Sequence, residues 1–324
     1  TQSRSSAASD VYKRQFLFRY WKLFKSAIGA GGMETYPRIP HPLLDESRES
    51  FWNPSGCMEM NNIDCDNLIL GENVIIEPTA IIRGVDGSAH NVIIGYNTYI
   101  GHDVQLIADN LEIGDYCKIH HHTNIHGYKP CKIGHNAWIG QYCIIDTIGG
   151  TTIGNNCGIG AHSQLWSHIK YGDTLEGCRF LSDAPLTIGN DVWFVGHCIV
   201  SPITAGDKSM ALVGSVVTKN MEENHLYAGS PAKDITAKAG TQFKSVTIDE
   251  KYDKMIKYLD TTLLDVSQIA IVKSAELFNF EDNVSYFDVS SRTYTKKRSA
   301  EEVKFMKFLL PAKGKFTPAL SNET

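Results

Sequence analysis

The stretch SQLWSHIKYGD, residues 163–173, places one histidine, His168, between a tryptophan and a polar loop. Upstream, residues 119–127 read IHHHTNIHG and residues 134–140 read GHNAWIG. Seven of the chain's twelve histidines fall between positions 120 and 168, so the chemistry of this region is that of imidazole. Imidazole is the side chain whose charge changes near neutrality, and it serves either as a proton acceptor or, when neutral, as a metal ligand. A proton-transfer site needs one histidine beside a pocket. A zinc site needs several nitrogen, sulfur or carboxylate ligands that converge on one point. Which of these applies depends on what positions the histidines.

A six-residue repeat positions them. Apolar residues recur every six positions in groups of three: Leu70/Ile76/Ile82, Ile94/Ile100/Leu106, Ile113/Ile119/Ile125, Ile133/Ile139/Ile145, Ile153/Ile159/Leu165, Ile188/Phe194/Val200 and Ala205/Ala211/Val217. The first member of each group is followed by glycine, from Gly71 to Gly206. A small or β-branched residue follows the first two members by four positions, and Cys117, Cys143, Cys157 and Cys198 hold that place. Neither a 3.6-residue helical period nor simple strand alternation produces this rule. The pattern describes a triangular coil in which each unit is a short strand plus a turn, and three units close one turn of a prism. The apolar residue points inward, and glycine supplies the backbone angles of the corner. Cysteine in the small position is a compact core residue. Stacked coils pair as parallel strands and bury a core that no single coil could.

In this register His126, Asp146, Trp166 and Ser201 form one column, one coil apart, beside His168. His122, Tyr142, His162 and His197 form a second column. The first column suits an acceptor pocket. Trp166 offers a face on which a sugar stacks, and Asp146 accepts from a hydroxyl or orients a histidine.

With the repeat, the segments APLTIGNDVWFVGHCIV (184–200), GSVVTKN (214–220) and YAGSPAKDI (227–235) resemble the hexapeptide-repeat acyltransferases, over residues 63–236. That resemblance implies a mainly β chain folded as a left-handed parallel β-helix, an exception to the right-handed crossover rule. It implies an acyl-coenzyme A co-substrate, acetyl-CoA first, and a homotrimer with sites between subunits. In the family the catalytic histidine sits at the break before the coil that reads PxxIGxxVW; here that histidine is His168, followed by PLTIGNDVW. It lies three residues after Leu165, earlier than in many relatives. An acceptor hydroxyl is a poor nucleophile until it loses its proton, and His168 as general base would take it. Direct transfer needs no acyl-enzyme. Val213, Gly214, Ser215, Thr218, Lys219 and Lys233 match the motifs that hold the donor, and lysines suit its phosphates as compact cations. Leu212 and Val213 depart from the glycine and alanine usual there, and the step from Ile188 to Ala205 is one residue short of eighteen. The expected reaction is acyl transfer to a hydroxyl or amine of a saccharide or similar acceptor, with Asp146, Trp166 and His126 lining the acceptor site. The γ-type carbonic anhydrases share the prism and bind zinc through histidines, two of them in a GHxxxxH pattern. His135 begins such a pattern, but Gly140 occupies its second ligand position; His121 and His126 retain the five-residue spacing. No metal is expected. A non-catalytic scaffold is the third alternative.

Composition narrows the classes further. The 324 residues are 42% hydrophobic and 21% charged, ordinary for a globular chain. A net charge of −5 argues against a nucleic-acid partner held by phosphate contacts. No apolar run approaches a membrane span. Eight cysteines without CxxC pairs fit a reducing, cytoplasmic setting. Residues 1–15, which include SSAASDVYKRQ, read as translated sequencing-adapter sequence and are set apart from the fold. Residues 16–62 read as an N-terminal arm or cap; within it, residues 16–32 are either upstream sequence read in frame or a basic amphipathic helix that lies on a membrane or a partner. Residues 237–324 read as a small α/β region, with a helix over 249–265 and strands in NVSYFDVSSRTYTKKR and EEVKFMKFLLPAKGKF. Covering part of the prism, making a subunit contact and binding the acceptor are its three open roles.

Overall fold

The computed structural model describes residues 62–262 and 264–319, all within one compact unit spanning Glu59–Thr324. The readings made for residues 1–15 and 16–32, and nearly all of the 16–62 arm, lie outside the described residues.

Short strands stack into three parallel sheets, the faces of a left-handed β-helix. The first face runs from Cys65–Leu70 to Thr204–Ala205 and the third from Ile81–Arg83 to Val216–Val217, with seven strands each. The second runs from Ile75–Ile76 to Met210–Ala211, then adds Leu226–Ala228 and, antiparallel, Lys233–Asp234. The six-residue rule holds as read. Ile94 pairs with Ile113, Ile100 with Ile119, and Leu106 with Ile125. The stacked residues from Ile82 to Val217 are buried in one continuous core, and Cys117, Cys143, Cys157 and Cys198 are buried with them. Burial pushes the thiols of Cys117 and Cys157 up to about 12, so both are unreactive at neutral pH.

One reading is corrected. The glycine after each first-face strand does not supply the corner's left-handed angle; the residue two places later does. Asn73, Asn97, Tyr116, Asn136, Asn156, Asp191 and Lys208 all have φ between 54° and 65° there. The glycine is required because coils approach closely. A Cβ on Gly95 would lie 2.5 Å from the Gly114 carbonyl carbon and 2.6 Å from the Asp115 nitrogen.

Between glycine and the left-handed residue, a side-chain ladder ties the coils together. Asp115 Oδ1 accepts from the Tyr96 N–H at 2.8 Å, and His135 Nδ1 accepts from the Asp115 N–H at 2.9 Å. Asn155 Oδ1 then accepts from His135, Asn190 Oδ1 from Asn155, and Asp207 Oδ1 from Asn190. Each side chain satisfies a corner N–H that has no strand partner.

Chain length between core positions is constant along two edges and variable along the third. From a third-face core position to the next first-face one, the distance ranges from 5 residues (Val200 to Ala205) to 23 (Leu165 to Ile188). That edge alone varies in length, and it is where His168 stands.

The C-terminal region contains helices α1 (Thr236–Ala239), α2 (Ile248–Asp260) and α3 (Ala300–Leu309) and a four-stranded sheet of Ile269–Val272, Ser285–Asp288, Thr293–Tyr294 and Thr317–Pro318. The strand reading of EEVKFMKFLLPAKGKF is overturned, because α3 occupies most of it. Ser299 caps the helix by accepting from the Glu302 N–H, and Glu302, Phe305, Met306 and Leu309 are buried at helical spacing. Local alternation gave way to the i, i+3, i+4, i+7 stripe.

This region covers the first-to-second edge of the prism. Arg298 reaches Glu72 at 3.1 Å, Lys296 reaches Asp115 at 2.6 Å, and Arg292 forks onto the buried Asp191. Asn136 Nδ2 donates to the Phe316 carbonyl, and Lys315 Nζ to the Asn156 carbonyl. Tyr96 and Tyr116 of the coils share a core with Phe287, Tyr294 and Phe305. Of the three open roles, covering the prism is the one the fold displays.

Candidate active site

The site lies on the third-to-first edge. Strand Ile144–Asp146 ends with a buried carboxylate, and its ladder neighbour on one side is His126. On the other side the coil of Gln164–Leu165 continues into Trp166, Ser167 and His168. Asp146 Oδ2 accepts from the Ser167 N–H at 3.0 Å and from the Ser167 hydroxyl, and it lies 2.9 Å from His168 Nδ1. A carboxylate can only accept, so Nδ1 carries the imidazole proton and Nε2 presents its lone pair outward. Among the described residues no protein group bonds to that Nε2, and about a fifth of the His168 side chain stays exposed. The Trp166 ring stands edge-on to the imidazole, with centroids 6.1 Å apart.

Two residues that the sequence did not single out hold this arrangement. Ser167 is fully buried, and its Oγ accepts from the Gly149 N–H at 2.9 Å while donating to Asp146. Gly149 admits no side chain, because a Cβ there would lie 2.0 Å from the Ser167 carbonyl oxygen. The signal was present in the Gly149-Gly150 pair, which falls where this edge carries extra residues.

Beyond His168 the loop closes on itself through reciprocal backbone hydrogen bonds between Ile169 and Ser182. Lys170 and Lys129 both pair with Asp183 at its base, and Lys170 foremost holds the Asp183 carboxyl below its usual range. Tyr171, Leu175, Phe180 and Leu181 project from this loop into solvent.

The donor-matching residues fall on two edges of one protomer. Thr218 and Lys219 follow Val217 on the His168 edge, with Thr218 in the column of Trp166 and Ser201 and Lys219 one place beyond it. Val213 and Gly214 lie on the second-to-third edge, where Gly214 has φ 71°. It takes the place held by His122, Tyr142, His162 and His197 in earlier coils. Those four rings stack with centroids 4.7, 5.1 and 4.9 Å apart. Ser215 is buried and donates to the Leu212 carbonyl. Lys233 lies on the antiparallel strand Lys233–Asp234 and is exposed.

The histidines weighed for zinc do not converge within the protomer. His121 lies on the second-to-third edge and His126 on the third-to-first. His135 belongs to the first-to-second ladder, where its Nδ1 is engaged by the Asp115 N–H. Among the described residues no group of three histidine, cysteine or carboxylate side chains is placed to share a metal ion. No helix among them is long and apolar enough to cross a membrane.

No protein-family profile matches the chain. It is 44% identical over 52 residues to the galactoside O-acetyltransferase of Escherichia coli K12, a match covering 16% of this chain and 26% of that protein. It is 27% identical over 214 residues to the bifunctional protein GlmU of Trichodesmium erythraeum, covering 58% of this chain and 43% of the relative. The chain thus spans less than half the length of these two curated relatives. Among solved structures, the polySia-specific acetyltransferase NeuO aligns with 62% of this chain and 100% of its own, at 18% identity and a TM-score of 0.36. In its repeat, its coil and these partial sequence matches, the chain is similar to the hexapeptide-repeat acyltransferases.

Proposed function

We propose that the protein transfers a small acyl group, acetyl first among them, from coenzyme A to a hydroxyl or amine of a saccharide acceptor. One observation carries this reading: His168 is tied through Nδ1 to the buried Asp146, and among the described residues its Nε2 has no protein partner at the mouth of a loop. Nε2 takes the acceptor proton as the oxygen or nitrogen attacks the thioester carbonyl. The new bond to the acyl carbon forms, the carbon–sulfur bond breaks, and the proton passes to the departing sulfur as the free thiol. Asp146 fixes the tautomer and balances the imidazolium. Trp166 and His126, on the same edge, present an aromatic face and a polar group to the acceptor.

The donor is held by Val213, Gly214, Ser215, Thr218, Lys219 and Lys233. Their division between two edges of one protomer fits a groove formed where two copies meet, as in a homotrimer. The apolar side chains of the 169–181 loop support the same assembly, since a soluble monomer rarely exposes such a patch.

The test is acceptor-dependent release of thiol from acetyl-CoA across a panel of mono- and oligosaccharides, with sedimentation of the full chain alongside. Turnover with at least one saccharide, and a trimer in solution, is expected. Absence of any acceptor-dependent release, with about one zinc per chain and bicarbonate dehydration, would replace this reading with the zinc enzyme.

A further inference from the structure

A second concave site lies on the first-to-second edge, a different edge of the prism from His168. It is a cleft of about 630 Å³ between the corner that carries Asp191 and Lys208 and the C-terminal region. That volume is in the range of small-molecule sites. Its charge is one-sided. Lys208, Lys244, Lys251, Lys254, Lys313 and Lys315 line it, and the carboxylate in its lining, Asp191, is already engaged by Arg292. Among the described residues none of the six lysines has a carboxylate within 4 Å, although other lysines of the chain do.

Lysines on an open surface are ordinarily solvated, and their number alone says little. Three features set this cleft apart. The six lysines come from four separate segments and line one cavity in a chain of net negative charge, with the Lys313 ammonium held at its margin by the Phe308 carbonyl and ring. Lys315 is partly buried, and burial holds its ammonium below the usual lysine range. It has one recorded acceptor, the Asn156 carbonyl at 2.7 Å, and two further N–H donors to place. The same cleft also has an apolar wall of Phe243, Val246 and Tyr258. On α2, Lys251, Lys254 and Tyr258 follow the i, i+3, i+7 spacing of a single helix face, so charge and ring are presented together.

We propose that this cleft binds a small molecule bearing a diphosphate, with the phosphates among the lysines and any attached ring against the Phe243, Val246 and Tyr258 wall. Lysines arriving from opposite sides suit adjacent phosphates, each of which accepts several charge-assisted hydrogen bonds. Two sources share this chemistry, a free pyrophosphate and a nucleoside diphosphate, and the apolar wall serves only the second. The proposal stands independently of the acyl-transfer reading.

The experiment is calorimetric titration of the full chain with ADP, inorganic pyrophosphate and orthophosphate at low salt. Parent protein is compared with Lys251→Ala/Lys254→Ala and with Lys315→Met. Saturable binding of pyrophosphate or ADP is expected, weakened roughly tenfold or more in both variants, with orthophosphate at least about tenfold weaker than either. ADP binding tighter than pyrophosphate assigns the nucleoside source, and equal binding assigns the diphosphate alone. The double variant changes solvent-facing side chains of α2, so it decides the matter even if Lys315→Met fails to fold. No saturation below about 10 mM, orthophosphate equal to pyrophosphate, or undiminished binding in the folded double variant overturns the proposal.

Discussion

His168 and Asp146 are 22 residues apart in sequence and 2.9 Å apart in space, and the pair makes sense only as a unit. If Nε2 is the base, His168→Ala should leave the fold intact, because the residue follows the Leu165 core position and begins a loop. Its kcat should fall about 10²–10⁴-fold, the usual worth of a positioned base, while donor KM barely moves. His162→Ala and His197→Ala, on the stacked column, should cost far less; steady-state kinetics with circular dichroism on the three variants decides this. A folded His168→Ala protein with near-parental turnover would remove the assignment. The donor residues carry a different expectation. Lys219→Ala and Lys233→Ala should raise the donor KM with a smaller effect on kcat, a loss of about 1–2 kcal/mol for a charge-assisted contact near solvent. Unchanged donor kinetics in both would place the groove elsewhere.

At the scale of the element, the corner ladder couples coil stability to pH through His135. Its Nδ1 accepts a backbone N–H, which a protonated imidazole cannot do. Burial, foremost, holds its pKa below the ordinary value of 6.5. The folded chain therefore binds fewer protons here than the unfolded one. The ladder bond contributes fully above about pH 6.5 and is lost as pH falls from there through the lowered folded value. His120, depressed chiefly by burial, acts in the same direction. His135→Asn keeps an acceptor of the kind Asn155 and Asn190 already supply on this ladder. Its melting temperature should drop less between pH 8 and pH 5 than the parent's. An equal drop in both would show that the ladder histidine does not report on pH.

At the scale of the molecule, the C-terminal region and the coils are held together by charged groups reaching onto one edge of the prism. Arg292 is the most committed of these, since Asp191 is almost fully buried. Arg292→Ala leaves that carboxylate without its fork. The cost should be about 2–3 kcal/mol, somewhat less than for a fully buried pair because the guanidinium keeps partial contact with water. Denaturant unfolding of the parent and the variant measures it, and a change below about 0.5 kcal/mol would mean the contact is incidental. The same edge carries the lysine-lined cleft, so the C-terminal region both covers the prism and builds a second concavity, away from the His168 edge.

The residues of the coils were legible in the sequence because a six-residue period converts position directly into face and column. Ile82, Leu106, Ile125 and Ile145 could be stacked from spacing alone, and the same register put Asp146 beside His126 and one coil from Trp166. Whatever depends on contacts without a period was not legible. The glycine after each first-face strand looked like a corner residue, and only the approach of the next coil's backbone, 2.5 Å from a Cβ on Gly95, shows why it must be glycine. Residues 301–316 alternate well enough to pass for a strand, and the buried stripe of Phe305, Met306 and Leu309 under the C-terminal sheet made Ala300–Leu309 a helix. Ser167 and Gly149 hold Asp146 through a turn whose length no repeat specifies. Asp191 meets Arg292 across 101 positions, and Asn136 meets Phe316 across 180. Chain separation of that order carries no local signal, so which edge is covered, and what cleft that covering leaves, belongs to the tertiary structure alone.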